Sequence, residues 1–331
     1  MSSETDLMPS GQTLFTLGFS SHRIEALPYA RQEMAGHQAI VLEEPPSETL
    51  APMLAGQLPI ADYIQEQGSE FPEYSYRQAV LLQEMHQAGK IILQIEPFLE
   101  RLLQIHEMFA LDQTPAEVLA LPDLAPVYQM ERQATRALLN FYTHSLKSSF
   151  GQVVEAVKSF ARADAGRFRY RDELRAQALA ALASQYKRIY VEAGYIHLGL
   201  PRALRRHLRN SGKVRSVFLL GSVVRPLLGT SRVLGPGDRL TLVYQFNAKC
   251  SAEKENLLAA QSLIHIKLLN QEEILAGESA TPHTDDEIQA NLLVNRLTFQ
   301  DCERLYPLIR FANQAQALRQ VQNYLRSQER Q

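Results

Sequence analysis

Two histidines and three carboxylates follow apolar runs in this sequence, each where a buried strand would give way to a loop. Residues 13–18 (TLFTLG) lead into Gly18-Phe19-Ser20-Ser21-His22, and residues 38–43 (QAIVLE) end in Glu43 and Glu44 before Pro45-Pro46. Residues 90–96 (KIILQIE) end in Glu96-Pro97, and residues 187–193 (KRIYVEA) lead into Gly194-Tyr195-Ile196-His197. Neutral imidazole and carboxylate together make a ligand shell for a divalent transition metal, which activates a bound water. The same pair deprotonates water without a metal when the carboxylate fixes the imidazole tautomer. Taken singly, His22 reads as a first-turn helix residue and His197 as a buried histidine with a satisfied hydrogen bond. Repetition at four strand ends turns the group toward chemistry, because open α/β sheets bind ligands beyond the C-terminal ends of their strands.

To share one rim, these strands must be parallel neighbours. Apolar runs alternating with helix-period segments, here residues 24–35, 74–88 and 98–109, are the pattern of a βα-repeating α/β fold with a mostly parallel sheet flanked by helices. Gly18 and Gly194 are read as tight-turn residues that tolerate positive φ. From about residue 115 to 183 no strand is visible; Ala134, Leu138, Phe141, Leu146, Val153, Val157 and Phe160 recur at near-helical intervals, the mark of a helical insertion. Sub-domain breaks are expected near Asp123 and near Gly166, the latter in a loop (ADAGRFRYRDE) before a helix over 172–183. Beyond Gly212 the pattern predicts strands over 214–220 and 240–246 around a Gly235-Pro236-Gly237-Asp238 turn, then helices over 253–269, 285–295 and 299–325, the second capped by Thr284. The division is therefore an α/β domain over 13–210, with a helical insertion over about 115–183, and a C-terminal strand-plus-helix (α+β) extension over 211–331.

Composition narrows the class. The chain has 331 residues, 45% hydrophobic and 21% charged, which is a globular balance and long enough to bury a core without disulfides. Lys and Arg number 34 against 36 Asp and Glu, so the chain as a whole lacks the cationic excess of a dedicated nucleic-acid binder. Cys250 and Cys302 form no CxxC pair, which excludes a zinc ribbon or disulfide framework and favours a reducing cytoplasm. Neither a secretory signal nor a run of ~20 apolar residues is present, so no membrane association is expected. The motif search removes further classes. No P-loop, dinucleotide-binding GxGxxG or GxSxG nucleophile elbow occurs. His106-Glu107 begins a zincin-like string, but Ala110 stands where the second histidine belongs. His283, Asp285, Asp286 and Glu287 are explained more cheaply as an acidic first helical turn.

A glycine-to-histidine motif after the first strand, a glutamate ending the second, an arginine opening a later helix and a GxxH after a late strand resemble one superfamily. It comprises the TraB/Tiki proteins, the erythromycin esterase-like proteins and the ChaN haem-binding lipoproteins. The best-matching stretch is Arg171-Asp172-Glu173-Leu174-Arg175-Ala176-Gln177 followed by KRIYVEAGYIHLGLPRALRRHL, and the resemblance covers about residues 13–210. Carried over by position, it implies His22, Glu43, Arg171 and His197 as the functional residues, with Arg169 and Arg175 competing for the arginine role. The first motif departs from the esterase-like branch, where glutamate directly follows the glycine; here that residue is Phe19.

The leading expectation is thus a hydrolase of peptide or ester bonds on a small-molecule or peptide substrate. His22, Glu43 and His197 hold a divalent metal (Mn, Co or Zn) or activate water directly. Arg171 stabilises an oxyanion or binds a substrate carboxylate, because its guanidinium stays charged and forks onto oxygens. Glu44, Glu96 and Tyr195 stand beside them as substrate-contacting candidates. The alternative is a non-catalytic binder of a small ligand or haem, motivated by Phe19 and Tyr195 flanking the histidines. Neither nucleic acid nor membrane is an expected partner, and self-association is left open.

Overall fold

The computed structural model describes residues 12–275, 277 and 279–329. In chain order the elements are β1 (Thr13–Ser20), α1 (Leu27–Ala35), β2 (Ala39–Leu42), α2 (Leu50–Leu54), α3 (Ile60–Gln67), α4 (Pro72–Gln87), β3 (Ile91–Gln94) and α5 (Pro97–Ala110). There follow α6 (Pro115–Leu119), α7 (Ala125–Lys147), α8 (Phe150–Ala181), β4 (Arg188–Gly194), α9 (Leu200–Leu208), β5 (Gly212–Phe218) and α10 (Gly221–Leu228). The last are α11 (Pro236–Gln245), α12 (Ala252–Leu268), α13 (Pro282–Val294), α14 (Phe299–Ile309) and α15 (Gln314–Gln328). They form two compact units. One comprises the residues up to Gln104 with Tyr170–Leu220; the other comprises Ile105–Arg169 with the residues from Gly221 onward. Among the described residues no helix is long and apolar enough to cross a membrane.

The first unit is an α/β fold. Its five strands are all parallel in the order β3-β2-β4-β1-β5. The chain leaves a gap between β1 and β2, and β4, arriving last but one, fills it. This insertion places the ends of β2, β4 and β1 side by side. Side-chain alternation then sorts the residues by face. Phe15, Leu17, Ala39, Val41, Ile189, Val191 and Ala193 pack with Ala176 and Leu179 of α8 and Leu200, Leu204 and Leu208 of α9. Gly18 and Glu192, paired across β1 and β4, point to the opposite layer, where Tyr74 and Gln78 of α4 reach Glu192. The strand expected over 214–220 is β5, a member of this sheet paired with β1 rather than part of a separate extension.

Gly18 lies inside β1 without a positive φ, so the tight-turn reading fails. Its reason is a close approach: a Cβ there would stand 2.2 Å from Tyr190 Oη and 2.6 Å from two ring carbons. Gly194 is not at positive φ either; the left-handed residue at this rim is His22, at φ 53°.

The second unit is helical among the described residues. Phe150, Val153 and Val157 of α8 pack with Leu240 of α11, Leu258, Leu263 and Ile264 of α12, and apolar residues of α13, α14 and α15. The strand expected over 240–246 is instead α11. Pro236 opens it, the Gly235 N–H donates to Asp238 Oδ2 (3.0 Å), and Leu240, Thr241 and Gln245 are buried at helical spacing. The loop expected around Gly166 is interior to α8. One glycine costs about 1 kcal/mol in a helix, too little to break thirty-two residues packed on both sides of it. Helix α13 begins earlier than expected, with Thr281 as its N-cap and Thr284 buried in its first turn. The helix expected over 299–325 is two helices, α14 and α15, restarted by Asn313, whose side chain accepts from the Gln316 N–H.

The Gly18 contact gives a direct expectation. Gly18→Ala should destabilise the protein by about 1–3 kcal/mol in urea denaturation, the usual cost of overpacking. In a Tyr190→Leu background the same substitution should cost markedly less, because the obstructing ring is gone.

Candidate functional site

Strand order decides which side chains meet. Glu43 follows β2, whose neighbours are β3, leading to Glu96, and β4, leading to Gly194 and His197. His22 follows β1 on the far side of β4. The structure therefore brings His22, Glu43, Glu96, Arg171 and His197 to one rim of the first unit.

His197 is held at both ring nitrogens. Nδ1 lies 2.6 Å from Asp172 Oδ1 and Nε2 lies 2.8 Å from Glu43 Oε1, with the imidazole 2% exposed. Burial alone would lower its pKa, but the carboxylates of Glu43 and Asp172 outweigh burial and raise it to about 9. His197 is thus an imidazolium donating in both directions. Burial pushes Glu43 up, yet the charges of His197, Arg175 and His22 outweigh that and hold its carboxyl well below the usual range. Burial keeps Asp172 raised despite the His197 contact.

Glu43 is the hub. Its Oε2 accepts the Gly194 N–H at 2.6 Å. Arg175 Nη1 lies 3.5 Å from the same oxygen, and Arg171 Nη2 lies 3.6 Å from Oε1. Both arginines also face the fully buried Glu96, at 3.5 and 3.7 Å. These separations bring charge together without direct hydrogen bonds. Arg175, fully buried, donates to the carbonyls of Ile95 (3.0 Å) and Leu42 (3.1 Å), tying α8 to the ends of β2 and β3. Arg171 and Arg175, four apart on one helical face, therefore both reach the cluster. Arg169 belongs to the other unit, where it donates to the Tyr244 carbonyl and Asn247 Oδ1.

The other half of the rim surrounds His22. Its backbone N–H donates to Ser20 Oγ (3.2 Å), and its side chain is 33% exposed. Nε2 lies 3.9 Å from both Glu43 Oε2 and Glu192 Oε1 and has no hydrogen-bond partner among the described residues. Glu192 Oε1 accepts from Tyr74 Oη (3.1 Å) and Gln78 Nε2 (2.8 Å), and its Oε2 faces the Glu43 N–H at 3.4 Å. Glu44 accepts from Gln94 Nε2 (2.9 Å) and Tyr63 Oη (3.3 Å), and burial, with Glu192 nearby, raises its pKa.

Two expected residues lie elsewhere. Tyr195 packs against the hydrophobic core beside Phe218, with ring centroids 6.4 Å apart. Phe19 is fully buried in that core, stacked on Phe218 at 5.3 Å, so it does not flank a ligand. Sequence reading missed Asp172 and Glu192. Asp172 sits inside the quoted arginine segment, three residues before Arg175 on the same helical face. Glu192 is the one charged residue in the buried run 189–193 of β4, a signal available from the sequence. Among the described residues, no group of three or more His, Cys, Asp and Glu stands ready-made to hold a metal ion.

The His197 shift predicts a pH dependence. In the unfolded chain this group titrates near 6.5, in the folded chain near 9. Its charge therefore stabilises the fold fully below about pH 6.5 and loses that contribution as pH rises through about 9, on the order of 3 kcal/mol in all. Urea melts across this range should show the decline, and His197→Gln should remove it.

The sequence is similar to that of an uncharacterized protein of Archaeoglobus fulgidus, 28% identical over 289 residues that cover 87% of this chain and 96% of that protein. A similarity of that length runs through both units. No family model matches the sequence, and no solved structure matches it.

Proposed function

We propose that this protein is a hydrolase of ester or peptide bonds whose water-activating base is His22. The observation that carries the reading is the contrast between the two histidines. His197 is locked between Asp172 and Glu43, whereas the His22 side chain is one-third exposed and its buried Nε2 is uncommitted beside two carboxylates, where an enclosed water would meet it. A histidine in that position takes a proton from water, and the carboxylates of Glu43 and Glu192 stabilise the imidazolium that forms. The hydroxide adds to the substrate carbonyl carbon. Arg171, 13% exposed at the edge of the cluster, supports the oxyanion. The carbon–oxygen or carbon–nitrogen bond then breaks, and the leaving alcohol or amine takes the proton back from His22. His197 and Asp172 act through Glu43 by fixing its orientation. The left-handed backbone of His22 fits this assignment, since strain of about 1–3 kcal/mol at a non-glycine residue concentrates at functional positions.

A metal-assisted version rests on a second observation. The carboxylates of Glu43, Glu96, Asp172 and Glu192 outnumber the cations Arg171, Arg175 and protonated His197, and two of them flank His22 Nε2 at equal distance. A divalent ion held by His22, Glu43 and Glu192, with His197 behind Glu43, would supply a water of lowered pKa. The roles of Arg171, Arg175 and Asp172 are the same in both versions.

The test is a panel of chromogenic esters and peptides, assayed with and without chelator and with added Mn, Co or Zn. His22→Ala and Glu43→Gln should each lower kcat/KM by about 100-fold or more, the scale of lost acid–base catalysis. Chelator-insensitive activity selects the direct version. Activity unchanged in both variants would remove the assignment.

A further inference from the structure

Away from the His22–His197 rim, the first unit carries a concentrated positive surface on an open sheet edge. The sequence has no Asp or Glu between Glu192 and Asp238, yet places Arg202, Arg205, Arg206, Arg209, Lys213 and Arg215 there. All six are exposed. The four arginines follow the i, i+3, i+4, i+7 pattern of one helical face on α9 and its C-cap. Glu173 pairs with Arg206, and Glu33 of α1 pairs with Arg215. No ion pair among the described residues engages Arg202, Arg205, Arg209 or Lys213. A helix C-terminus favours positive charge, but its half-charge of about −0.5 needs no such number. Arg209 also holds a left-handed φ of 51°, where glycine or asparagine is the usual choice.

Beside this helix, β5 is the outermost strand, and no described strand pairs with its outer side. The Thr13 N–H bonds to Ser211 O and the Leu219 N–H to Phe19 O, so the backbone of alternate residues from 211 to 219 faces β1. Those of Val214 and Ser216 face outward. Arg205 reaches this edge, donating to the Val214 carbonyl at 3.1 Å. The basic groups lie on both sides of the edge. Val214 packs in the core beneath α9, whereas Arg215 turns to the opposite face, where Thr16 and α1 lie, and Lys213 shares that face by alternation.

We propose that the β5 edge docks an extended acidic segment of a partner protein, which adds as a sixth strand. Outward backbone groups of β5 supply the pairing, as in other β-strand additions. Side chains of an added strand alternate between faces. Acidic residues of either parity then meet cations: the α9 arginines on one side, Lys213 and Arg215 on the other. Nucleic acid fits less well, because no Phe, Tyr or Trp lies between Tyr195 and Phe218 to stack a base. Charged residues on edge strands also block self-pairing; that role gives no peptide binding, so the experiment separates the two.

The probe is a fluorescein-labelled peptide of repeated Glu-Glu-Val-Val, which offers carboxylates on both faces, followed by anisotropy against the full chain. Binding should be saturable and weaken with salt. Arg209→Glu combined with Lys213→Glu should reduce affinity about tenfold or more. Ser216→Pro, which removes an outward N–H that an edge strand can spare, should do likewise with an unchanged circular dichroism spectrum. The same peptide N-methylated at alternate residues should also bind about tenfold more weakly, with the protein untouched. Absence of peptide binding overturns the proposal. So does duplex DNA binding in its place, or peptide binding indifferent to both Ser216→Pro and N-methylation.

Discussion

The rim of the first unit depends on one carboxylate. Glu43 sits between His197, Arg171 and Arg175 while accepting the Gly194 N–H. Without it, buried His197 and Arg175 and part-buried Arg171 would keep only Asp172 and Glu96 as counter-charges, and the main chain after β4 would lose its anchor to β2. Removing one partner from a buried charge group costs about 3–5 kcal/mol, because the others are left uncompensated in a medium of low polarity. The depressed pKa of Glu43 and the raised pKa of His197 are two expressions of this single constraint. Glu43 reaches that position only because β4 inserts between β1 and β2, so the topology and the charge cluster are one solution.

Much of this was legible as sequence. The four strands with polar ends, and the parallel α/β class, follow from apolar runs bounded by glycine, proline and charge. His22, Glu43, Glu96 and His197 meet because an all-parallel sheet sends every strand's C-terminal end the same way. What escaped was mostly side-chain reach across elements. Asp172 reaches the rim from α8 beside Arg171 and Arg175, the latter named only as a competitor for the arginine role, and nothing in the local sequence says that this helix crosses the ends of β2 and β3. Glu192 was hidden inside a strand whose other residues announce a core, and only Tyr74 and Gln78, more than a hundred residues earlier, explain how its charge is accommodated. Residues 240–246 looked like a strand because Leu, Val, Tyr and Phe favour either state. Pro236 and the Asp238 cap decided for helix, and the apolar side of α11 then found α12.

Gly18 shows how a correct residue can carry a wrong reason. A glycine before a loop suggests a turn, whereas here it is a flat place in β1 under the Tyr190 ring. Tyr190 and Glu192 share a face of β4, so the space that Gly18 leaves is part of what lets that face carry a large phenol beneath a buried carboxylate. Tyr195, by contrast, had the right location in sequence and the wrong side of the sheet: one residue past Gly194, it turns into the core.

The two halves of the rim differ in how tightly they are held, and that difference has a chemical meaning. Around His197 the contacts are 2.6–2.8 Å, and both ring nitrogens are committed. Around His22 they are 3.9 Å, and Nε2 is uncommitted. An imidazole with both ring nitrogens bonded to carboxylates has no lone pair for water, and a positioning group that is loose cannot orient its neighbour. A tight half that fixes Glu43 and a looser half around the one-third exposed His22 side chain is the division that the proposed water activation would require. On this reasoning the left-handed backbone at His22 is a consequence of placement. The chain must turn sharply after Ser20 for the ring to lie over Gly194, where a Cβ would already be 3.6 Å from its Cε1. A glycine would relieve the backbone but remove the imidazole that the proposed water activation depends on.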